Sequence, residues 1–152
     1  VREGIMLYGL YPDSASQPGG PLRPVLTLKS RVAQVRELPA GSSVSYGRTY
    51  ISEQPIRTAV IAAGYADGHP RRLSNQGYDT IRGNAYKQIG RICMDMHMVD
   101  ITGDDIIRPG DEVILWGGSG MSAEEVSQIV GTINYELTCL VTRRVTRLYI
   151  NE

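Results

Sequence analysis

Tyrosine is the residue type with the clearest potential for chemistry in this sequence, which contains nine tyrosines and no phenylalanine. A phenol hydroxyl can donate or accept a hydrogen bond and can act as a general acid or base. Tyr46, Tyr65 and Tyr135 each lie beside a glycine or an asparagine at a predicted strand-to-turn junction, where functional side chains are commonly presented. An isolated tyrosine usually packs at an edge with its hydroxyl hydrogen-bonded. Residue type alone therefore does not establish a site.

Histidine and cysteine do not occur at the spacing of a metal site. Cys93 and Cys139 are far apart, and His69 and His97 lie at no recognisable metal-ligand spacing. We therefore expect a domain without a metal, with two buried thiols in a reducing compartment. The sequence also shows no Ser-His-Asp set, phosphate-binding loop or paired-carboxylate pattern.

Charge and hydropathy limit the classes of partner. The 16 basic and 16 acidic residues cancel, which argues against nucleic acid or an anionic membrane surface as a partner. No apolar run approaches the roughly 20 residues that span a bilayer, and the first residues lack the anatomy of a signal peptide. We expect a cytoplasmic location. A local basic cluster remains open for Arg71, Arg72, Arg91, Arg143, Arg144 and Arg147.

The elements that must position these residues are mostly short strands. Alternating apolar residues predict a strand over residues 25–35 with a bulge near Ser30, and an apolar run predicts a buried strand over residues 57–64. Residues 78–81 and 85–89 are predicted to form a hairpin, and residues 94–101 and 112–116 two more strands. A last strand is predicted over residues 137–141, continuing to residue 150.

One helix interrupts this pattern of strands. Ser122 is a suitable N-cap, Glu125 completes a capping box, an apolar stripe follows, and Gly131 ends the helix. Eight or so strands with one short helix predict an all-β barrel or closed sandwich. The stretch rich in proline and glycine at residues 17–21 is typical of a linker.

Five short motifs follow one another along nearly the whole chain. They are Arg-Glu-Gly-Ile-Met-Leu-Tyr-Gly-Leu-Tyr-Pro at residues 2–12, Val-Ser-Tyr-Gly-Arg-Thr-Tyr at 44–50, Gly-Tyr-Ala-Asp-Gly at 64–68 with Pro-Arg-Arg at 70–72, Gly-Arg-Ile-Cys-Met-Asp at 90–95, and Thr-Ile-Asn-Tyr-Glu at 132–136. Each motif alone is weak. Together, in this order and spacing, they resemble the C-terminal part of bacterial alanine racemase.

The resemblance implies a two-domain enzyme that depends on pyridoxal 5'-phosphate and interconverts L- and D-alanine for cell-wall peptidoglycan. Residues 1–22 would be the end of the cofactor-binding (β/α)₈ barrel plus a linker, and residues 23–152 the C-terminal β-barrel domain. The family acts as a head-to-tail homodimer, in which the β domain of one subunit reaches over the barrel of the other. An amino acid is the implied substrate.

For catalysis, Tyr46 matches the tyrosine that abstracts the proton from L-alanine. An ordinary phenol has a pKa of about 10, so neighbouring cationic or hydrogen-bonding groups must favour the phenolate. Met94 matches the residue whose backbone contacts the substrate carboxylate. The resemblance also predicts a substrate entrance, where positive charge attracts a carboxylate. Its expected lining residues are Tyr65, Arg71, Arg91 and Ile133.

For the cofactor, Arg2 matches the arginine that faces the pyridine nitrogen, and Tyr135 matches a phosphate contact. Gly4 and Ile5 match backbone donors to the same phosphate. An arginine does not readily give up its proton, so the resemblance implies a pyridine ring that stays neutral. A neutral ring is a poorer electron sink, which would suppress side reactions.

The resemblance leaves several points open. Lys29 and Lys87 are the only lysines, and neither lies in the context of the cofactor lysine, so we expect this chain alone to be inactive. Asp67 and Asp95 are expected to be turn and scaffold residues. Departures from the family pattern, such as Met96, leave open a racemase for serine or a broader set of amino acids. A non-catalytic β-barrel binding module is a further alternative.

Overall fold

A closed barrel of six antiparallel strands forms the centre of the computed structural model, which describes residues 2–12 and 21–150. The strands of the chain are β1 (Thr27–Leu38), β2 (Ser43–Val44), β3 (Tyr50–Ile51), β4 (Ile56–Ile61), β5 (Tyr78–Ile81), β6 (Asn84–Ile89), β7 (His97–Asp100) and β8 (Glu112–Gly117). The barrel order is β1-β4-β7-β6-β5-β8, while β2 and β3 form a separate pair. The predicted all-β fold class is confirmed.

The long first strand closes the barrel because it pairs with β4 along one part and with β8 along another. Its register shifts between Leu28 and Lys29 on the β8 side and between Val32 and Gln34 on the β4 side. Such irregularities bend a strand and increase its twist, which barrel closure requires. The single bulge predicted near Ser30 is therefore replaced by two shifts on either side of it.

Alternation along the strands fills the barrel interior. His97, Val99 and Ile101 are buried, whereas Met98 and Asp100 between them are only partly buried, as the pattern over residues 94–101 predicts. The hairpin of β5 and β6 also forms as predicted. Apolar side chains from the other strands complete the core, including Ile61, Ile81, Val113 and Leu115.

The predicted helix is present as α1 (Ala123–Val130). The Ser122 hydroxyl accepts a hydrogen bond from the Glu125 N–H at 3.1 Å, and the Glu125 carboxylate accepts one from the Ser122 N–H at 2.7 Å. Gly131 ends the helix with a φ of 74°, a conformation that favours glycine. Val126 and Val130 pack into the barrel core.

The strand predicted over residues 137–141 is wrong, because these residues belong to a second helix, α2 (Asn134–Leu140), and its end. Leu137 and Val141 are four residues apart, which places both on one helical face in the core beside α1. The Thr138 hydroxyl donates to the Tyr135 carbonyl at 2.9 Å. Residues 142–150 contain no strand. A short apolar run is compatible with a strand or with a helix, and here packing against α1 favours the helix.

The expectation of two buried thiols is also wrong. Cys139 is exposed, because α2 turns this position away from the core. Cys93 is only partly buried, with its thiol 3.4 Å from the Ser45 hydroxyl oxygen. Both cysteines are free.

The N-terminal segment packs onto the barrel through Ile5 and Leu10, which belong to its core. The Asn134 amide donates to the Tyr11 carbonyl at 2.8 Å, so this segment also contacts the start of α2. Of the linker predicted at residues 17–21, residues 17–20 lie outside the described residues. Within the described ranges, no helix is long and apolar enough to cross a membrane.

Candidate functional site

Tyr46 lies on a strained turn between β2 and β3. Ser45 has φ 64° and ψ −175°, and Arg48 has φ 49°, conformations that cost free energy for residues other than glycine. The Ser45 hydroxyl donates to the Arg91 carbonyl at 2.6 Å, which holds the turn against the segment before β7. The Tyr46 side chain is 73% exposed. The turn therefore presents this phenol to the surface.

A loop at residues 63–71, which we call the Tyr65 loop, follows β4. The Asp67 carboxylate accepts the Gly64 N–H at 2.9 Å, and the Tyr65 N–H donates to the Cys93 carbonyl at 3.0 Å. A Cβ at position 64 would lie 2.2 Å from that carbonyl oxygen. The close approach of the two backbones therefore requires glycine at this position.

Residues 92–96, which we call the Met94 turn, precede β7. The Cys93 N–H donates to the Met96 carbonyl at 2.9 Å, and the Ala66 N–H donates to the Met94 carbonyl at 3.0 Å. Among the described residues, none accepts a hydrogen bond from the Met94 N–H. The turn therefore leaves a backbone donor available beside the Tyr65 loop.

One cavity of about 440 Å³ brings together Tyr46, Tyr65, Arg71 and Met94, four of the residues that the sequence predicted for the site. A guanidinium group binds carboxylates well, and a phenol can exchange a proton. The cavity can therefore hold a small carboxylate next to a potential acid–base group. Its remaining lining residues are Ile92, Cys93, Asp95 and Met96.

The Arg91 side chain approaches the Tyr46 turn and does not line this cavity. Its Nε atom is 3.3 Å from the position that a Cβ on Gly47 would occupy. The structure therefore places the Arg91 guanidinium against the residue next to Tyr46.

A second cavity, of about 330 Å³, lies between the Tyr65 loop and the start of α2. Tyr65 and Arg71 line both cavities, and Thr132 and Glu136 line the second on the helical side. Ile133 is exposed, but it lines neither cavity. Of the predicted entrance residues, Tyr65 and Arg71 therefore line both cavities, whereas Arg91 and Ile133 line neither.

The residues predicted for cofactor binding lie outside both cavities. Arg2 is exposed, and Gly4 has a φ of 55° with open space around a Cβ built on it. Ile5 is buried, so only its backbone can serve a ligand. Tyr135 follows Asn134, whose amide contacts the N-terminal segment at Tyr11. This contact places the helix that carries Tyr135 against that segment.

Arg144 is a residue that the sequence analysis did not connect to the site. Its guanidinium contacts the Asp67 carboxylate at 2.8 Å and the Asp95 carboxylate at 2.7 Å. This Arg144 bridge joins the Tyr65 loop to the Met94 turn from outside. Asp67 and Asp95 were expected to be scaffold residues, and this geometry gives them that role. No local sequence signal links three residues so far apart.

A buried polar network under the Tyr65 loop was also missed. His69, Asp79, Gln88 and His97 have almost no exposed surface, and they come from the loop, β5, β6 and β7. Asp79 accepts from the His97 Nε2 at 2.6 Å and from the Gln88 amide at 2.8 Å. The His97 Nδ1 lies 2.7 Å from the Ala63 carbonyl. We call these four side chains the buried network.

Burial and charge shift the titration of this network. Burial, together with the neighbouring charge of His97, lowers the pKa of His69 to about 3. Burial alone would lower the pKa of His97, but the charge of Asp79 and the hydrogen bonds outweigh it, so the pKa is raised. Burial alone would raise the pKa of Asp79, but the charge and hydrogen bond of His97 outweigh it, so the pKa is lowered.

Comparison with known proteins gives one consistent result. A family profile described as alanine racemase, C-terminal domain, matches residues 25–149. An alanine racemase from Chlorobaculum tepidum is 47% identical over 150 residues, covering 99% of this chain and 39% of that protein.

Solved structures give the same result. An alanine racemase structure from Clostridium difficile superposes with a TM-score of 0.90 at 40% identity, covering 97% of this chain and 39% of that one. A Bartonella henselae alanine racemase with covalently bound pyridoxal phosphate has a TM-score of 0.88 at 37% identity, covering 96% and 40%. The chain thus spans about two fifths of the length of the proteins that it matches.

Proposed function

Because this chain belongs to the alanine racemase C-terminal domain family, we propose that it serves in a racemase that interconverts L- and D-alanine. Residues 23–152 would form the β-barrel domain, and residues 1–22 the end of the cofactor barrel and a linker. The enzyme would act in the cytoplasm and supply D-alanine for peptidoglycan. The shared cavity of Tyr46, Tyr65, Arg71 and Met94 is the observation that carries this proposal.

Tyr46 is the proposed base for L-alanine and would remove the proton from its α-carbon. The guanidinium of Arg91, next to Gly47, would stabilise the negative charge on the phenolate. The side chain is largely exposed here, whereas proton transfer from carbon benefits from an environment that excludes water. We therefore propose that the cofactor-binding (β/α)₈ barrel of a second subunit covers Tyr46 in a homodimer.

The substrate carboxylate would bind between Arg71 and the Met94 turn. The Met94 N–H has no acceptor among the described residues, so it can donate to a carboxylate oxygen. Arg71 and Tyr65 line the same cavity and would guide the amino acid into it. Arg91 and Ile133 are proposed for the outer part of this entrance.

Pyridoxal 5'-phosphate would be the cofactor, and when bound it supplies an electron sink for the α-carbon. The residues proposed to hold it fit a phosphate in their chemistry, because all of them offer donors: the Tyr135 hydroxyl and the backbone N–H groups of Gly4 and Ile5. The open space around Gly4 leaves its backbone accessible. Arg2 would donate to the pyridine nitrogen, and the covalent lysine would lie outside this chain.

A hybrid enzyme tests this proposal. It joins the N-terminal part of the Chlorobaculum tepidum alanine racemase to this chain, in place of the matching 39% of that protein. We expect the hybrid to racemise alanine. Tyr46→Phe should slow solvent deuterium incorporation into L-alanine by about 10²–10⁴-fold, the usual contribution of a general base, and affect D-alanine far less.

Tyr149→Phe is the matched control, since Tyr149 is exposed and does not line the cavity, and it should leave both rates unchanged. Equal losses with the two enantiomers in Tyr46→Phe would contradict the assignment of this base. Turnover of serine faster than alanine by the hybrid would overturn the proposed substrate.

A further inference from the structure

The buried network contacts both segments that form the candidate site. His97 directly follows the Met94 turn, and its Nδ1 contacts the carbonyl of Ala63, where the Tyr65 loop begins. His69 lies near the other end of this loop, and its ring stacks on that of His97 with centroids 4.6 Å apart and planes 28° apart. Both ends of the loop therefore rest on one imidazole.

The acceptors around His97 determine its protonation. One ring nitrogen faces the Ala63 carbonyl oxygen at 2.7 Å, and the other faces a carboxylate oxygen of Asp79 at 2.6 Å. Neither oxygen can donate a proton when Asp79 is ionised, so both ring nitrogens must carry one. His97 is therefore an imidazolium whose charge is balanced by Asp79.

Gln88 determines the protonation of the second ring. Its amide nitrogen lies 2.8 Å from Asp79 Oδ1 and 2.8 Å from His69 Nε2. A carboxylate only accepts, so the amide donates to both, and His69 accepts at Nε2 and is neutral. A Cβ on Gly77 would lie 2.7 Å from the Gln88 amide oxygen, so glycine there makes room for this arrangement.

The distance between His97 and Asp79 fits a direct hydrogen bond better than shared coordination of a metal ion. Potential ligand atoms of His69, Asp79 and His97 lie within 4.8 Å of one another. However, the 2.6 Å between His97 and Asp79 is a hydrogen-bond distance. Two ligands at about 2.0–2.1 Å from a tetrahedral zinc would stand roughly 3.3 Å apart. The geometry thus matches a hydrogen bond from His97 to Asp79.

We propose that His69, Asp79, Gln88 and His97 are positioning residues, which set the spacing between the Tyr65 loop and the Met94 turn and thereby the place where a substrate carboxylate binds. The titratable groups that face one another in this network are Asp79 and the two histidines. The spacing follows from this chain alone. The consequence for the substrate rests on the proposed function.

Two backbone amides report the spacing directly. The Tyr65 and Ala66 N–H groups donate to the Cys93 and Met94 carbonyls across the gap between loop and turn. Their hydrogen exchange can be measured by NMR on this chain. In His97→Gln we expect both amides to exchange about tenfold faster or more, relative to the Ile101 amide, which binds the Arg57 carbonyl elsewhere in the barrel.

Two further variants control this measurement. Met121→Ala removes a buried side chain beyond β8 and should accelerate all these amides to a similar degree. Adding Asp79→Asn to His97→Gln removes the unpaired buried charge, so the double variant should exchange more slowly at Tyr65 and Ala66 than His97→Gln alone. If His97→Gln does not fold, His69→Asn removes the ring stack without unpairing a charge and gives the same readout.

The hybrid enzyme supplies the functional readout. There, His97→Gln should raise the KM for alanine more than it lowers kcat, because it displaces a binding group and leaves Tyr46 in place. Equal acceleration of all amides in His97→Gln would overturn the proposal. So would stoichiometric zinc binding that Asp79→Asn abolishes. A third outcome separates the two proposals. If His97→Gln accelerates exchange at Tyr65 and Ala66 in this chain, but the unmutated hybrid does not racemise alanine, the spacing role is supported and the proposed function is overturned.

Discussion

The Tyr65 loop and the Met94 turn are joined twice, once at the surface and once in the core. Outside, the Arg144 bridge contacts Asp67 and Asp95, with its side chain 49% exposed. Inside, the buried network connects the same two segments through His97, which is 1% exposed. Each connection pairs a positively charged group with a carboxylate at a similar contact distance. The two differ mainly in how far water reaches them.

This difference in environment gives the two connections different roles. Water and salt screen an exposed ion pair, so its contribution to the stability of the fold is small and falls as the salt concentration rises. A buried pair cannot lose one partner without leaving an uncompensated charge in the core. The surface bridge can therefore open at little cost in stability, whereas breaking the buried network costs the barrel much more. The spacing of the site thus depends on the inner connection.

The largest expected effect comes from breaking the inner connection at Asp79. In Asp79→Ala, His97 would keep its charge without a partner or would have to lose it. We expect the free energy of unfolding, measured with urea, to fall by about 3–5 kcal/mol. Asp105→Ala removes a carboxylate that is almost fully exposed and should change little. Equal, small losses in both variants would show that the inner pair is not charged.

The next effect is a pH dependence of stability with a maximum near neutrality. Because the pKa of His69 is lowered to about 3 in the folded chain, the unfolded chain binds one more proton between about pH 3 and pH 6.5. Stability should therefore rise with pH in this window, by up to about 1.4 kcal/mol per pH unit. The lowered pKa of Asp79 adds a loss of stability at the acidic end.

Above about pH 6.5 the sign reverses, because the raised pKa of His97 lets the folded chain keep a proton that the unfolded chain has released. The stabilisation that His97 contributes is complete below pH 6.5, and it is lost as the pH rises through the pKa that His97 has in the folded chain. Urea unfolding at several pH values measures both limbs. His69→Gln should flatten the acidic limb only, and an unchanged acidic slope in this variant would exclude His69 as its source.

The smallest expected effect comes from the outer connection. Arg144→Ala should lower the urea midpoint much less than Asp79→Ala does, since the Arg144 side chain is 49% exposed and its charge is screened by water. The difference from the unmutated chain should vanish near 1 M salt, where the Debye length is about 3 Å. Arg36→Ala is a matched control, because that exposed side chain donates a hydrogen bond to Gln34 and forms no ion pair with a described residue. A loss as large as that of Asp79→Ala would remove the distinction between the two connections.

Much of the fold could be predicted from local patterns. The capping box of Ser122 and Glu125 marked α1, and period-two alternation marked the strand that contains His97 and Val99. The same patterns failed at Leu137, where a short apolar run fits a helix or a strand and contact with α1 selects the helix.

The candidate site was predicted from the resemblance that the five motifs carry, and the structure shows which of its members share a cavity. Tyr46, Tyr65, Arg71 and Met94 come together, because β2, β4 and β7 bring their flanking turns to one end of the barrel. Ile133 and the residues proposed for cofactor binding stay outside it. Spacing along the chain carries no information about such distances, which depend on how the barrel closes.

By itself, the sequence determined the features that depend on near neighbours: strand alternation, the cap of α1, the glycine turns and the motif set. Only the tertiary structure decided which polar residues meet. Asp67 and Asp95 pair with Arg144, His97 pairs with Asp79, and His69 meets Gln88, across separations of more than 10 residues. The physical reason is that such contacts depend on distance in space: the folded chain brings these residues together, and inside the barrel a buried charge is stable only beside its partner.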